Sequence, residues 1–461
     1  MVSATGIIVG IILVVTLLLL IFWEHKVHKT LVAMLGAGAA LFFAILPGSG
    51  KNGEALIPDV DAIFEILEMD LILVIIGITL MVGVARTTGV FEYIALMLLK
   101  KTGDNQLKLL TSLSLFTLVF SAFLDAYMAI LIVGSITIVS CDALDINPKP
   151  FILVEAMFGN LGGTMTRIAS PPNLIIGGHY DIDFVTFFLL TAPYVLVVSI
   201  ITLLVWSILF RKELSKKISP FQFNEILLID ERTIIKDPRG AKIAVIIMTI
   251  TVLGFAIASF LPFRVELGYI ALAGGFLMLG LIKIEVEKAL HTIEWPLVFF
   301  LVGLLLIVGI VEETGLLELI ALPIEILFSI DVLGGIIVLQ WFITLVSSVI
   351  DNVPFASIMT GVLDSLISND PSLGINMGMN RMIPVPIPPL LVTVVIGTNL
   401  GGNITPIGSA STVQAVVILE RVEKKEAKIS FLEFVKYGGI VTLFHLIVGS
   451  IYVTLLWYLY I

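Results

Sequence analysis

The sequence predicts an all-α integral membrane protein built from two inverted repeats, each with a re-entrant helical hairpin and an unwound transmembrane helix. The chain of 461 residues is 58% hydrophobic and 13% charged, and its mean hydropathy is +1.12, far outside the range of soluble domains. Apolar runs of about 20 residues, enough to cross roughly 30 Å of hydrocarbon, recur along it. Two glycine-rich polar stretches interrupt those runs at matching places.

Composition also excludes several classes of function. A formal net charge of -10 argues against nucleic acid as a partner. Cys141 is the only cysteine and the five histidines are scattered, so neither a disulfide framework nor a metal enzyme is expected. We therefore expect no cofactor beyond a coupling ion, Na⁺ or H⁺. The first apolar run, residues 6–23, lacks a basic region before it and a small-residue cleavage site after it, which favours a retained helix over a signal peptide.

The two interrupting stretches have the same composition. The first begins SAFLDAYMA at Ser121 and ends GNLGGTMTRIASPPN at Asn173, and the second pairs SSVIDNVPFA with a later GTNLGGNITPIGSAST. Polar breaks in the backbone cannot face lipid, because each unpaired N–H or C=O group in hydrocarbon costs several kcal/mol; they need surrounding protein or a water-filled cavity. The two stretches are thus predicted to form two halves of one buried ion or solute site.

A constant spacing of 226 positions relates five markers of the first half to five of the second. The first half, 1–210, is predicted to contain a hairpin at about 107–141 and an unwound helix at about 150–178. A cytoplasmic linker, 211–240, leads to the second half, 241–461, with a hairpin at about 332–368 and an unwound helix at about 386–419. The markers are Glu68, Gly77, Gly83, Gly89 and Asp125, which recur as Glu294, Gly303, Gly309, Gly315 and Asp351.

Basic loops predict the orientation of a multi-pass protein of the cell membrane. With both termini outside, 22 of the 26 Lys and Arg residues lie on the cytoplasmic side. The exceptions are Lys51, Arg264 and Arg381 outside, and Arg167 within the membrane. Lys108 and Lys149 flank the first hairpin on one side, so it is expected to open from the cytoplasm and the second hairpin from outside. This inverted arrangement is typical of secondary transporters with a site near the midplane.

Two acids at membrane depth are the sharpest site candidates, because burying an acid in a membrane is expensive. Asp125 or Asp351, the latter with Asn352, is a candidate ligand of Na⁺, and either acid is a candidate proton carrier if burial favours its neutral form. The alternative is that each caps a hairpin helix, and both roles can coexist. Broken helices add unpaired carbonyls for a cation and N–H groups for an anion.

Glycines and neutral side chains complete the predicted site. Gly162, Gly163, Gly401 and Gly402 are expected to allow close backbone approach and positive φ. Arg167 has open alternatives: it binds an anionic substrate, neutralises a nearby Asp, or pairs with Glu155. The remaining predicted site residues are Asn160, Thr164, Thr166, Asn173, Asn399, Asn403, Thr405 and Ser409.

The segments SAFLD, GGTMTRIASPPN, SSVIDNVP and LGGNITPIGSAST resemble the arsenite permease and sodium/proton antiporter branch of the ion transporter superfamily. That superfamily includes the P protein and silicon efflux transporters and, more distantly, dicarboxylate/sodium symporters. The resemblance implies a dimerising scaffold domain and a transport domain that moves as an elevator. Hairpin tips at 121–126 and 347–354 would meet unwound segments at 160–173 and 399–412. Ala126 departs from the family's Asp-Asn pair, which is kept at Asp351 and Asn352.

The function predicted from these features is secondary active transport of an ion or small oxyanion, not enzymatic catalysis. Arsenite or related metalloid efflux and sodium/proton exchange are the leading versions, and sodium-coupled transport of a citrate-like dicarboxylate is the alternative. A passive channel is disfavoured by hairpins on opposite sides. Two membrane aspartates also suggest an intramembrane aspartyl protease, but Gly-x-Gly-Asp and Pro-Ala-Leu motifs are missing.

Overall fold

A computed structural model describes residues 4–22, 27–50, 54–102, 105–216, 234–375, 385–422 and 425–460, together with a few residues between 218 and 230. The predicted all-α fold is confirmed in these ranges, where the strands are the two-residue segments Gly374–Ile375 and Val385–Pro386, paired antiparallel. Lys51, Arg381 and much of the predicted linker 211–240 lie outside the described residues.

The described residues of the first half form ten helices, and a short helix follows them. In their order, four scaffold helices and a connecting helix come before a helical hairpin and a broken helix. They are α1 Ala4–Phe22, α2 Lys29–Ala44, α3 Val60–Ile66, α4 Met69–Thr87, α5 Val90–Thr102, α6 Gln106–Ser121, α7 Ala126–Ala143, α8 Lys149–Met165, α9 Pro171–His179, α10 Phe184–Leu209 and α11 Arg211–Leu214.

The second half repeats this order of elements. They are α12 Pro238–Ala258, α13 Leu267–Leu281, α14 Val286–Leu290, α15 Trp295–Glu313, α16 Leu317–Ile330, α17 Val332–Ser347, α18 Asn352–Asn369, α19 Pro388–Gly401, α20 Ala410–Glu420 and α21 Phe431–Tyr460. Helices α15, α17 and α18 begin and end 226 positions after α4, α6 and α7. The spacing found in the sequence is therefore a spacing of whole helices.

Two of the repeated glycines hold the scaffold helices of the two halves together. A Cβ atom added at Gly77 on α4 would collide with the backbone of Ala271 on α13. The same happens at Gly303 on α15, where an added Cβ would lie 2.7 Å from the carbonyl carbon of Ala33 on α2. Each half thus packs one helix against the other half at backbone distance, which only glycine allows. We call α1–α4 and α12–α15 the scaffold.

Another repeated pair ends the central scaffold helices. Gly89 and Gly315 follow α4 and α15 with φ of +80° and +73°, a left-handed conformation that glycine adopts without steric cost. These turns direct the chain into α5 and α16 and from there into the two hairpins. The positive φ explains why glycine occupies the matching position in both halves.

The hairpins and broken helices follow the predicted order, but the breaks are shorter than predicted. The first hairpin is α6 with α7, and the second is α17 with α18. Helix persists through Met165 and resumes at Pro171, so the first break is 166–170; the second break is 402–409. The expected positive φ at the four site glycines is wrong, since Gly48, Gly89 and Gly315 are the glycines with positive φ in the described chain.

The outer surface is apolar, as lipid contact requires. Leu189, Ile200 and Ile208 on α10 are 62%, 62% and 72% exposed, and Ile250 and Ile257 on α12 are 59% and 58% exposed. Among the described residues, six helices are long and apolar enough to cross a membrane. Exposed isoleucine and leucine over whole helix faces is unusual on a soluble protein and normal on one surrounded by lipid.

Candidate ion and solute site

The tips of both hairpins and both breaks border one cavity of about 480 Å³. Because the tips and breaks come from distant parts of the sequence, the cavity exists only through the association of the two halves. Seven of the residues predicted for the site line it: Asp125, Asn160, Gly163, Asp351, Asn352, Asn399 and Ser409.

The two aspartates hold equivalent positions. Asp125 is the N-cap of α7 and accepts a hydrogen bond from the backbone N–H of Tyr127 at 2.9 Å. Asp351 is the N-cap of α18 and accepts one from Val353 at 3.1 Å. The capping role holds each carboxylate at the positive end of a helix. Since both side chains also line the cavity, capping leaves each acid in a position to meet a solute.

The first hairpin is fastened to the first broken helix by two hydroxyl groups. Ser121 donates to the carbonyl oxygen of Gly159 at 2.6 Å, and Thr166 donates to that of Ala122 at 2.5 Å. Gly162 faces the turn between them: a Cβ there would lie 2.9 Å from Cβ of Ser121 and 3.1 Å from the backbone nitrogen of Ala122. Thr166 and Gly162 therefore seat the tip that carries the aspartate.

The second hairpin is fastened in the same way. Ser347 donates to the carbonyl oxygen of Thr398 at 2.7 Å, and Thr405 donates to that of Ser348 at 2.5 Å. A Cβ at Gly401 would lie 2.6 Å from the carbonyl carbon of Ser347. The glycine pairs of the two signatures thus serve close approach between a hairpin turn and a helix, without the positive φ expected from the sequence.

The two breaks are joined across the centre by a reciprocal pair of bonds. Asn160 donates to Ser409 at 3.1 Å, and Ser170 donates to the side-chain oxygen of Asn399 at 3.0 Å. Asn160 also donates to Asn403 at 2.9 Å. All five side chains are buried. Polar groups buried in this way need partners, and here each half of the chain supplies partners to the other.

Several predicted residues shape the breaks without lining the cavity. Asn173 donates to the carbonyl oxygens of Gly163 and Thr166 at 2.7 and 2.8 Å and accepts from Asn399 at 2.7 Å. Thr164 donates to the carbonyl oxygen of Asn160 at 2.8 Å, within its own helix. The predicted residues outside the cavity lining are Gly162, Thr164, Thr166, Arg167, Asn173, Gly401, Gly402, Asn403 and Thr405.

Sequence reasoning missed two charged residues of the cavity. Lys29, the first residue of α2, places Nζ 3.5 Å from Oδ2 of Asp351 and 4.8 Å from the centroid of the Phe300 ring. Glu294, which precedes α15, also lines the cavity. From the sequence, Lys29 counts only among the basic residues of the cytoplasmic side, and Glu294 serves only as a repeat marker. The marker position of Glu294 is the signal that points to it.

Arg167 lies elsewhere. Its Nη2 is 3.7 Å from Oδ2 of Asp70, and Nη1 donates to the carbonyl oxygen of Ile182 at 2.9 Å. Pairing with Glu155 is therefore wrong: Glu155 accepts a hydrogen bond from Thr137 at 2.6 Å. Arg167 is not among the residues that line the cavity, and its contact with Asp70 favours neutralisation of an aspartate. Its role toward an anionic substrate stays a prediction.

A cluster of charged side chains next to Arg167 joins the start of α4, the end of α9 and the second hairpin. His179 at the end of α9 lies 2.6 Å from Asp364 of the second hairpin and 3.4 Å from Glu68, the N-cap of α4. Tyr180 donates to Asp364 at 3.0 Å. Helix α15 separates this end from Lys29: Pro296 at its start accepts a hydrogen bond from Thr30, whereas a Cβ at Gly309 near its end would meet Ile66, two residues before Glu68. The cluster and Lys29 are thus at opposite ends of the scaffold.

Comparison with known families decides the affiliation of the chain. Residues 17–380 match the family described as "Citrate transporter" (CitMHS). The chain belongs to that family. Its helical architecture, apolar exterior and central cavity are those of a membrane transporter, and the family match covers the scaffold helices α2–α4, both hairpins and the first break.

Curated relatives are similar over almost the whole chain. The chain is 27% identical over 433 residues to a 46 kDa membrane protein of Mycobacterium leprae, covering 94% of this chain and 95% of that one. It is 29% identical over 440 residues to an uncharacterized transporter of Mycobacterium tuberculosis, covering 95% and 96%. The P protein of Mus musculus is 28% identical over 92% of this chain and 57% of its own length, which supports the expected relation to the P protein.

A solved structure supports the fold. The YdaH transporter of Alcanivorax borkumensis, whose crystal structure is described as having an unusual topology, aligns with a TM-score of 0.54 over 98% of both chains at 11% identity. Identity that low shows a shared fold and carries no information about the substrate.

Proposed function

We propose that this CitMHS-family protein is a secondary active transporter that couples Na⁺ or H⁺ to the movement of a small ion or oxyanion. The observation that carries the proposal is the meeting of Asp125, Asp351 and both helix breaks around one cavity. Acids at membrane depth are costly and serve ion or proton pathways. Broken helices at the interface of two repeats are where transporters bind solutes and coupling ions.

The charges that line the cavity suit the simultaneous binding of an anionic solute and a cationic coupling ion. Asp125, Glu294 and Asp351 provide carboxylates for a cation or proton, with Lys29 as a compensating charge. Pro171 and Ala410, the first residues of α9 and α20, also line the cavity. Their helix starts carry partial positive charge, which favours the oxygens of an anion. An anion bound alone among three carboxylates would be repelled, so a cation is expected to bind with it.

Alternating access would follow from the two re-entrant hairpins acting in a transport domain that slides as an elevator against the scaffold of a homodimer. In the predicted orientation, Lys29 and Glu294 lie toward the cytoplasm and the His179 cluster lies toward the outside. The cavity, which reaches Leu20 and Ile21, would then be open inward, and the cluster would close the outer side.

Three kinds of substrate have specific support. The family match favours a citrate-like carboxylate, and the signatures shared with arsenite permeases and sodium/proton antiporters favour metalloid efflux or sodium/proton exchange. Arg167 lies outside the cavity lining and gives no support to a dicarboxylate over the other solutes. The carboxylate class ranks first, since the family match covers residues 17–380.

A substrate panel in proteoliposomes tests the proposal. Citrate, succinate and arsenite are offered with Na⁺ and pH gradients imposed separately. We expect one gradient to drive accumulation of one solute class, and Asp351→Asn to abolish the dependence on that gradient. Asp331→Asn is the matched control, because Asp331 caps the first arm of the same hairpin through Gly334 N–H at 2.7 Å in an exposed position. Flux that is unaffected by either gradient would refute secondary active transport.

A further inference from the structure

Lys29 brings a positive charge to the cavity from the scaffold, whereas Asp351 belongs to the second hairpin. Its Nζ lies 3.5 Å from Oδ2 of Asp351. The ring of Phe300 on α15 lies beneath the ammonium at 4.8 Å, a cation–π geometry that helps hold the side chain in place. These two contacts give the ammonium group of Lys29 a defined position in the cavity.

The ion pair joins the scaffold to the second hairpin. Lys29 begins α2, which packs at backbone distance on α15 through Ala33 and Gly303. Asp351 sits at the tip of the second hairpin, which is fastened to the second broken helix through Ser347. A displacement that carries the hairpin away from α2 by more than the lysine side chain can span would separate Lys29 from Asp351.

The pair also uses the carboxylate oxygen that a bound cation would need. Oδ1 of Asp351 accepts the capping bond from Val353, and Oδ2 faces Lys29. The side chains of Lys29 and Asp351 are 30% and 27% exposed, so solvent in the cavity reaches both. A partly exposed pair of this kind is weak enough for a dissolved cation to exchange with it.

We propose that Lys29 is a tethered competitor of the coupling cation at Asp351. In the state seen here its ammonium takes the place of the cation and favours release of the cation on this side of the membrane. When the second hairpin leaves the scaffold, Asp351 loses Lys29 and becomes available to a cation on the other side. This inference rests on the proposed function. It adds that Lys29 weakens cation binding at Asp351 on one side of the membrane only.

The experiment measures Na⁺ binding to the purified full chain as the rise in melting temperature with increasing Na⁺, at constant ionic strength maintained with N-methylglucamine. Constant ionic strength is needed because screening alone weakens a partly exposed pair. Wild type, Lys29→Gln, Lys29→Met and Lys29→Arg are compared. The half-saturating Na⁺ concentration is expected to fall about two- to fivefold in Lys29→Gln and Lys29→Met, the size expected for one partly exposed ion pair, and to stay near the wild-type value in Lys29→Arg.

Lys149→Gln is the matched control. Lys149 is also a partly buried lysine in an ion pair, 3.2 Å from Glu433, and it does not line the cavity. Loss of a lysine there should leave the half-saturating Na⁺ concentration unchanged. Two uncharged replacements at Lys29 keep the test decisive if one of them fails to fold.

Three outcomes overturn the inference: an unchanged Na⁺ concentration in both uncharged variants, weaker Na⁺ binding in them, or no effect of Na⁺ on any of the proteins. The flux panel judges the proposed function separately. Gradient-driven transport with unchanged Na⁺ binding in Lys29→Gln rejects the competitor and keeps the transporter, whereas tighter Na⁺ binding without gradient-driven flux rejects the coupled transport.

Discussion

Replacing Gly162 by alanine tests the close contact that seats the first hairpin. A Cβ at this position would lie 2.9 Å from Cβ of Ser121 and 3.1 Å from the backbone nitrogen of Ala122, with the carbonyl oxygen of Leu118 nearer still. Two of these atoms belong to the backbone, one in α6 and one in the hairpin turn, and cannot move as a flexible side chain would. The adjacent Gly163 is the control, since its nearest atoms would be 3.8 Å away, an ordinary contact.

The two variants are expected to differ in stability, with Gly162→Ala the less stable. Both glycines lie within α8, where alanine gains about 1 kcal/mol over glycine in helix propensity. Overpacking at Gly162 costs about 1–3 kcal/mol and cancels or exceeds that gain. Gly163→Ala should therefore be neutral or more stable than wild type, and Gly162→Ala should be less stable than Gly163→Ala by about 1–3 kcal/mol.

The measurement is the half-life of the folded protein in detergent at a fixed elevated temperature, because membrane proteins commonly unfold irreversibly. Each 1.4 kcal/mol on the unfolding barrier changes the half-life about tenfold. Only stability is compared, since Gly163 lines the cavity. Equal half-lives for the two variants would refute the close seating of the hairpin on the broken helix.

Three further changes have distinct outcomes. Arg167→Leu should shorten the half-life of the folded protein, because it removes the ion-pair partner of Asp70. The apparent substrate affinity in flux assays should stay unchanged. A large loss of affinity would contradict the placement of Arg167 outside the cavity. Gly303→Ala should destabilise the protein by about 1–3 kcal/mol, because the added methyl group clashes with α2. Gly439→Ala is the control, since no atom lies within 4 Å of its added Cβ. Equal effects of the two substitutions would disprove the scaffold contact. Asn399→Ala leaves buried partners unpaired and should cost about 1–3 kcal/mol in thermal unfolding; a neutral effect would show that the two breaks do not depend on each other.

The repeat was the part of the fold most visible in the sequence. The spacing between Asp125 and Asp351 predicted two equivalent acids, and both prove to be N-caps at hairpin tips that line one cavity. Helix caps and left-handed glycines are local requirements of the chain. Local requirements that recur at a constant spacing can be recognised in the sequence without knowledge of any tertiary contact.

The extent and chemistry of the breaks were harder to predict. Gly162 and Gly401 looked like positions of positive φ, yet both lie within helices and serve contact with a hairpin turn. Sequence composition does not separate these two uses of glycine. Helix therefore continues further into both signatures than their polarity suggested, because hydrogen bonds from the hairpins and the opposite break satisfy the side chains there.

The sequence by itself determined a helical membrane protein with two equivalent halves and an aspartate at each hairpin tip, since hydrophobic length, backbone breaks and caps depend on neighbouring residues. Only the tertiary structure decided which charges share the cavity. It brought Lys29 to Asp351 and moved Arg167 away to Asp70. The physical reason is that ion pairs form between side chains on separate helices, and their distance is fixed by how the scaffold and the hairpins pack.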